Sequence, residues 1–205
     1  MANMPYFNLW KQELAKAHGQ LEASRLVNEI RERYAQLSET IPIPNGKILR
    51  TRREKLLLPG LALYQTLKNE YGQVDKALVE TDLLFRAAFF RVERFGIPLL
   101  NYLPNPFPLV RLVMRGSAVS EYGPGELEVL EDSPDCFSMQ IYCCYLLDRL
   151  TAQGAPELTP LFCATDDWLA ELLPRVRWER TQTLGRGGAF CDFCWSRSRS
   201  PKETN

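Results

Sequence analysis

Apolar residues recur every three or four positions through the N-terminal part of the chain, with charged residues between them. This period predicts helices over Phe7–Leu37, Lys55–Tyr71 and Asp75–Arg94. The Pro/Gly segment Ile41–Gly46 ends the first of these helices. We expect an irregularity within it at His18-Gly19, and an interruption of the second helix at Pro59-Gly60.

After Pro108 the pattern changes to short runs in which apolar and polar residues alternate. Alternation predicts strands, over Leu109–Met114, Leu127–Leu130, Cys136–Tyr142, Val176–Leu184 and Phe190–Trp195. Helices are expected between them, over Cys144–Gln153 and Asp166–Leu173. The proline-rich segment Pro98–Pro108 is expected to be extended, because proline fixes φ and lacks an N–H.

This order of elements predicts an α+β fold, with a helical N-terminal part packed on a mainly antiparallel C-terminal β-sheet. We expect residues 1–45 to form a helical arm and residues 46–195 to form a single α+β domain. The polar residues 196–205 are expected to be a disordered tail. The amphipathic arm could cover its own domain or a second subunit, so a homodimer is one possible assembly.

Composition narrows the functional classes. The chain has 205 residues, with 25 Lys and Arg against 25 Asp and Glu, so no overall field attracts nucleic acid or an anionic membrane. No apolar run is long and uncharged enough for a membrane span, and no secretory signal is visible. We therefore expect a cytoplasmic protein whose six cysteines are thiols.

The cysteines are the first candidates for chemistry. All six lie from Cys136 to Cys194, and the whole chain has one histidine. Without a histidine base, a thiol becomes a strong nucleophile only if a cation or a helix N-terminus lowers its pKa to about 7 or below. Cys163 precedes a predicted helix start at Thr165-Asp166, so we expect the positive helix end beside it. Cys191 lies instead on a predicted strand.

Carboxylates and an arginine could complete a site. Asp166 is either a helix cap or a general acid or base, whereas Asp167 is expected to be a cap. Asp192 lies in an apolar strand, where a carboxylate needs a partner, and Arg180 is one candidate. Arg180 could equally bind a substrate carboxylate through its bidentate fork. Gly185, Gly187 and Gly188 favour a hairpin turn.

Several short motifs together carry a family resemblance. They are Cys144, Gly154–Leu158, Phe162-Cys163 with Asp166, Glu179–Thr181, Thr183-Leu184, Gly187-Gly188 and Cys191–Phe193, with Leu56–Leu67 upstream. In this combination the chain resembles the L-2-amino-thiazoline-4-carboxylic acid hydrolase family. The resemblance implies a hydrolase of small-molecule metabolism that opens a non-peptide C–N bond in a cyclic amidine, such as L-2-amino-thiazoline-4-carboxylate. We expect no cofactor and no metal.

The candidate site residues follow from these observations together. The candidate catalytic residues are Cys191, Cys163, Cys144, Asp166 and Asp192, and the candidate substrate-binding residues are Arg180 and Thr183. One position departs from the family pattern: a basic residue commonly follows the Asp-Phe pair, whereas this chain has Cys194. If that basic group binds the substrate carboxylate, the thiazoline carboxylate is in doubt as the substrate.

Two other functions stay open. One is a non-catalytic small-molecule-binding or biosynthetic accessory domain on the same scaffold. The other is a zinc protein, in which Cys191 and Cys194 form half of a site and Cys163 with Cys143 or Cys144 completes it. Strand alternation argues against zinc, because it places Cys191 and Cys194 on opposite faces.

Overall fold

In a computed structural model, which describes residues 4–93 and 96–198, helices precede a small sheet along the chain. The α-helices are α1 Phe7–His18, α2 Gln20–Thr40, α3 Lys47–Arg52, α4 Leu58–Tyr71, α5 Val74–Glu93, α6 Phe107–Glu121, α7 Tyr145–Ala152 and α8 Thr159–Glu171. The strands are β1 Leu127–Asp132, β2 Cys136–Ile141, β3 Val176–Glu179 and β4 Cys191–Arg197. They form an antiparallel sheet in the order β1-β2-β4-β3. The predicted α+β class with an antiparallel C-terminal sheet is confirmed.

The chain divides into two compact units. The first contains Met1–Val92 with Asp148–Phe162, and the second contains Glu93–Leu147 with the chain from Cys163 onward. No described helix has the length and apolar character needed to cross a bilayer. Strand β4 includes Ser196 and Arg197, the first residues of the predicted tail, whereas residues 199–205 lie outside the described part of the chain.

The first unit begins with two helices where the sequence predicted one. Gly19 separates α1 from α2 with a φ of 83°, a left-handed conformation that glycine adopts readily. The predicted irregularity at His18-Gly19 is therefore a complete break. Leu14 of α1 and Leu26 and Ile30 of α2 are buried, as the helical period predicted, whereas Leu21 of the same apolar series is 90% exposed.

Helix α4 is not interrupted at Pro59-Gly60, so that prediction is wrong. Pro59 lies in the first turn of α4, and a π-helical turn, Arg53–Leu57, connects α3 to it. Proline lacks an N–H, so the carbonyl of Lys55, four residues earlier, loses its helical donor. The Tyr6 hydroxyl donates to that carbonyl over 3.2 Å, and the helix continues through the proline.

The second unit is built on one apolar face of the sheet. In the register of β2 and β4, Phe137, Met139 and Ile141 lie opposite Trp195, Phe193 and Cys191. Helix α6 contributes Phe107, Val110 and Ala118 to the same buried cluster. The opposite face carries Cys136, Ser138, Gln140, Asp192, Cys194 and Ser196, all partly exposed.

Two predictions about the start of this unit are wrong. Leu109–Met114, predicted as a strand, belongs to α6, and residues 97–102 form a 3₁₀ helix rather than an extended crossing. Pro108 lies in the first turn of α6, where a missing N–H has no consequence. Leu112 and Val113 are exposed, so apolar residues on both sides of the helix hid its period.

Candidate active site

Strand β4 divides its chemical groups between the two faces of the sheet. Cys191 is buried on the apolar face, whereas Asp192 and Cys194 lie on the polar face. The alternation expected for the CDFC segment is therefore present. The two faces of the sheet therefore carry different cysteines.

Cys191 belongs to a cluster of three thiols. Its sulfur is within electrostatic range of Cys144, Cys163 and Arg180. Burial raises the pKa of Cys191 to about 11, although the N–H of Leu184 donates to the sulfur over 3.3 Å and acts to lower it. Cys191 is consequently a neutral thiol at physiological pH.

Cys163 does not lie at the start of a helix, so the reason given for its activation is wrong. Helix α8 begins at Thr159, after a 3₁₀ turn at Pro156–Leu158, and Thr165 lies inside it. Burial raises the pKa of Cys163, while the nearby Thr183 side chain and the Arg180 charge act to lower it. The net direction is upward, so Cys163 is also protonated near neutral pH.

Cys144 has the setting that was predicted for Cys163. It immediately precedes α7, and the N–H of Leu147 in the first turn of that helix donates to the Cys144 sulfur over 3.5 Å. Unpaired N–H groups give a helix N-terminus a partial positive charge, which favours a thiolate over a thiol. Of the three clustered cysteines, Cys144 is the one with a helix N-terminus beside its sulfur.

Arg180 is a nearly buried charge beside the thiols. Only 4% of its side chain is exposed. One guanidinium nitrogen donates to the carbonyl of Cys163 over 2.8 Å and the other to Asp167 over 2.6 Å, with Asp166 at 3.7 Å. Asp167 also accepts from the Trp178 indole over 2.9 Å. Asp167, expected only to cap a helix, is thus the closest carboxylate to Arg180.

Asp192 is not the partner of Arg180. Its carboxylate accepts from the Thr181 N–H (3.0 Å), the Thr181 hydroxyl (2.5 Å) and the Gln182 N–H (2.7 Å). Burial acts to raise the pKa of Asp192, but these hydrogen bonds outweigh it and lower the pKa. They hold the loop at Thr181-Gln182 against β4. The strand β3 ends at Glu179 rather than at the predicted Leu184.

A cavity of about 280 Å³ opens in the loop that follows β3. Its lining consists of Arg180, Thr181, Gln182, Thr183, Arg186, Gly187 and Gly188. Both predicted substrate-binding residues are in this lining, and both also interact with the Cys163 thiol, whereas the three sulfurs are outside it. The cavity therefore adjoins the thiol cluster through Arg180 and Thr183.

Glycines shape this loop, which is a 3₁₀ turn rather than the tight hairpin expected. Residues Leu184–Arg186 form the turn, and Gly187 ends it with a φ of 83°. At Gly188 an added Cβ would lie 2.8 Å from the Gln182 side chain and 3.0 Å from the Thr183 carbonyl. Any other residue at position 188 would push the cavity wall outward.

The zinc hypothesis gains no support from this arrangement. Among the described residues, no group of three or more His, Cys, Asp or Glu side chains is placed to hold a metal ion. Cys191 and Cys194, the proposed half-site, occupy opposite faces of β4.

Comparison with known proteins bears on the identity of the chain. A model of the L-2-amino-thiazoline-4-carboxylic acid hydrolase family matches residues 50–195. The chain belongs to this family. The matched segment contains all seven candidate site residues, and the family name describes a hydrolase. No curated protein matches the chain.

Similar solved structures include the Fe(II) unliganded H-NOX protein from K. algicida and a point mutant of it. The mutant shares 14% identity, with 96% of this chain and 97% of that chain covered and a TM-score of 0.36. The other structure shares 13% identity over 95% of this chain and 96% of that one, with a TM-score of 0.34. These scores are too low to carry a conclusion about fold or ligand.

The role of Asp192 is testable through pH. A depressed pKa in the folded state adds stability above the unfolded value of about 3.9, and this is lost as the pH falls through the folded value. Asp192→Asn should therefore reduce the free energy of unfolding by about 1–2 kcal/mol at pH 7, and the difference should shrink below about pH 4. Urea unfolding at several pH values measures both.

Asp135→Asn is the matched control, since the Asp135 side chain is 63% exposed and its nearest cation is 3.9 Å away. We expect a change within about 0.5 kcal/mol for this variant at every pH. Equal effects of the two substitutions would show that the hydrogen bonds to Thr181 and Gln182 contribute nothing specific.

Proposed function

We propose that the thiol cluster of the second unit hydrolyses a C–N bond in a small cyclic amidine, either L-2-amino-thiazoline-4-carboxylate or a related heterocycle. One observation carries the proposal: Cys144, Cys163 and Arg180 are all within electrostatic range of Cys191, and Arg180 lines a small polar cavity. Family membership supports the reaction class. The cavity volume of about 280 Å³ suits a small heterocycle of this kind.

Cys144 is the nucleophile in this proposal. The pKa values of Cys163 and Cys191 are raised by burial, which leaves both protonated at neutral pH. Cys144 instead accepts the Leu147 N–H at the start of α7, a setting that stabilises a thiolate. Its partial exposure leaves it accessible to a small substrate.

The reaction proceeds in two stages that together consume one water. The Cys144 thiolate attacks the amidine carbon and a C–S bond forms, after which the ring C–N bond breaks. The leaving nitrogen takes its proton from the Cys163 thiol, and the resulting thiolate is stabilised by Arg180, whose charge favours the ionised form. Water then adds to the same carbon, its proton passes to Cys163, and the C–S bond breaks to release Cys144.

The carboxylates divide between recognition and support. Asp166 is 41% exposed beside Arg180 and would accept hydrogen bonds from the positively charged amidine nitrogens. Asp192 has no step in the reaction, because its oxygens already accept from the loop that bounds the cavity. Its contribution is to position Thr183 through the turn at Thr181-Gln182.

Arg186, rather than Arg180, is the residue placed to bind a substrate carboxylate. The guanidinium of Arg180 is engaged by Asp167 and the Cys163 carbonyl. Arg186 also lines the cavity, is 53% exposed, and lies 4.0 Å from Asp167. The departure at Cys194 does not affect this cation, since residue 194 lies on the polar face of β4, away from Cys191.

A cleft in the first unit favours a second candidate function, non-catalytic binding of a small molecule. It has a volume of about 640 Å³ and lies between α1 and α5, where apolar residues such as Val79, Leu83 and Leu84 form half of its lining. His18 and Tyr71 both bond to Glu80 at one end of the cleft, His18 over 2.6 Å. If this function is correct, a ligand should stabilise the folded protein in a saturable way, and a turnover assay should detect no product.

Loss of the nucleophile tests the main proposal. Cys144→Ala should lower turnover of L-2-amino-thiazoline-4-carboxylate by at least about 10³-fold, because the covalent stage is lost. The readout is mass spectrometry of a product heavier than the substrate by one water. Cys143→Ala, at the adjacent position, should retain wild-type turnover. Activity of Cys144→Ala within threefold of Cys143→Ala would exclude Cys144 as the nucleophile.

Carboxylate binding has its own test. Arg186→Gln should raise KM for the carboxylate substrate about tenfold, the loss of one charged hydrogen bond, and leave kcat nearly unchanged. The same variant should leave KM for 2-aminothiazoline, which lacks the carboxylate, unaltered. Arg177→Gln is the control, because Arg177 is 66% exposed on β3 and outside the cavity lining. A kcat effect without a KM effect would contradict this role.

A further inference from the structure

The polar face of the sheet carries a second pair of cysteines that the proposed reaction does not use. The sulfurs of Cys136 and Cys194 are 3.7 Å apart. In the register of β2 and β4, Cys136 lies opposite Ser196, and Cys194 lies opposite Ser138. The two cysteines are therefore diagonal neighbours on one face, at positions whose side chains reach one another.

This pair is separate from the catalytic cluster and reachable from solvent. Cys136 and Cys194 are both partly exposed, and Cys191 lies on the other face of β4. The surrounding positions on this face are Ser138, Gln140, Asp192 and Ser196, all polar and partly exposed. A small polar oxidant can therefore approach the sulfurs without unfolding the sheet.

We propose that Cys136 and Cys194 form a reversible dithiol–disulfide site, whose oxidant is a small-molecule disulfide of the glutathione class. The Cys194 thiolate attacks one sulfur of the oxidant, which forms a mixed disulfide and releases one reduced thiol. Cys136 then loses its proton and attacks the Cys194 sulfur, which releases the second reduced thiol. Two electrons pass from the protein to the oxidant, and no other reactant is needed.

The order of the two attacks follows from the surroundings of Cys136. Burial, the Cys194 sulfur and Glu131 raise the pKa of Cys136 to about 12. This raised pKa disfavours Cys136 as the first attacking thiolate, so the proposal gives the first attack to Cys194. The second step needs the two sulfurs to move from 3.7 Å to a bond length of about 2.05 Å. Diagonal neighbours are spaced more widely than the residues of most disulfides, so β2 and β4 must also shift slightly toward one another.

The disulfide would link β2 to β4, the two central strands of the sheet. It would join residues 58 positions apart, and closing a loop of this length restricts the unfolded chain strongly. Oxidation should therefore raise the thermal unfolding midpoint by about 10 °C. Asp192 of β4 accepts hydrogen bonds from the N–H groups of Thr181 and Gln182, which line the cavity. Oxidation would therefore also restrain the cavity wall.

The experiment treats the folded full-length protein with oxidised glutathione, quenches it with acid, and measures intact mass and cysteine-linked peptides. The expected product has lost two hydrogens and yields a peptide linked through Cys136 and Cys194. Cys136→Ser should instead accumulate a mixed disulfide with glutathione at Cys194, and Cys194→Ser should form neither product at these two positions. Cys143→Ser is the control and should oxidise like the wild type.

Two results would overturn the proposal. One is a wild-type protein that keeps glutathione on Cys194 without closing the internal disulfide. The other is a disulfide that joins Cys136 or Cys194 to a member of the catalytic cluster. Because serine replaces cysteine with little change in volume, circular dichroism of each variant is expected to match the wild type and confirms that the sheet is intact.

Discussion

The buried guanidinium of Arg180 is the constraint on which the candidate site depends. An unpaired charge in a protein interior costs several kcal/mol, so a chain that buries one must supply partners for it. Here those partners are Asp167 and the Cys163 carbonyl on α8, while Arg180 itself follows β3. Satisfying this one charge therefore fixes α8 against the end of β3 and holds Cys163 next to a cation.

The remaining polar groups extend this arrangement outward. Asp167 also accepts from Trp178, which stacks with Phe193 and Trp195 on the apolar face of the sheet. Asp192 performs the equivalent task for the loop after Arg180 by accepting from Thr181 and Gln182. Two of the three aspartates in this region thus serve geometry. The third, Asp166, is 41% exposed and lies 3.7 Å from Arg180.

The three clustered thiols differ because their surroundings differ. Burial holds Cys163 and Cys191 in the protonated form, whereas Cys144 lies at the start of α7. In the proposed reaction, these differences let a site without histidine combine a thiolate and a neutral thiol. Arg180 acts on two of the three thiols, since its positive charge favours the ionised forms of Cys163 and Cys191.

Sequence patterns were sufficient for the fold class and for gathering most of the site, but not for the roles within it. Alternation along Cys191–Trp195 placed the two faces of β4, and the family motifs selected Cys144, Cys163, Cys191, Arg180 and Thr183. The mistakes arose where apolar residues occupy both sides of a helix, as in α6, and where helix α8 starts at Thr159, about two turns before its acidic residues.

The missed residues share a physical cause. Asp167 matters because it pairs with the buried Arg180, and Arg186 matters because it is the arginine that stays exposed. Which of the two arginines is buried depends on packing rather than on local sequence pattern. The sequence did contain a weak signal for Asp167. Trp178 and Arg180 are two positions apart, so in an extended chain their side chains lie on the same side, and both carry N–H donors that need an acceptor. Nothing in the sequence distinguished Asp192 as a support for the loop.

The most direct test of the central claim is a double-mutant cycle between Arg180 and Asp167, measured by urea unfolding at pH 7. Arg180→Met, Asp167→Asn and the double variant give the coupling free energy between the two side chains. Dependence of the site on this buried ion pair predicts a coupling of at least about 1 kcal/mol. Additive effects, with a coupling within about 0.3 kcal/mol of zero, would contradict it.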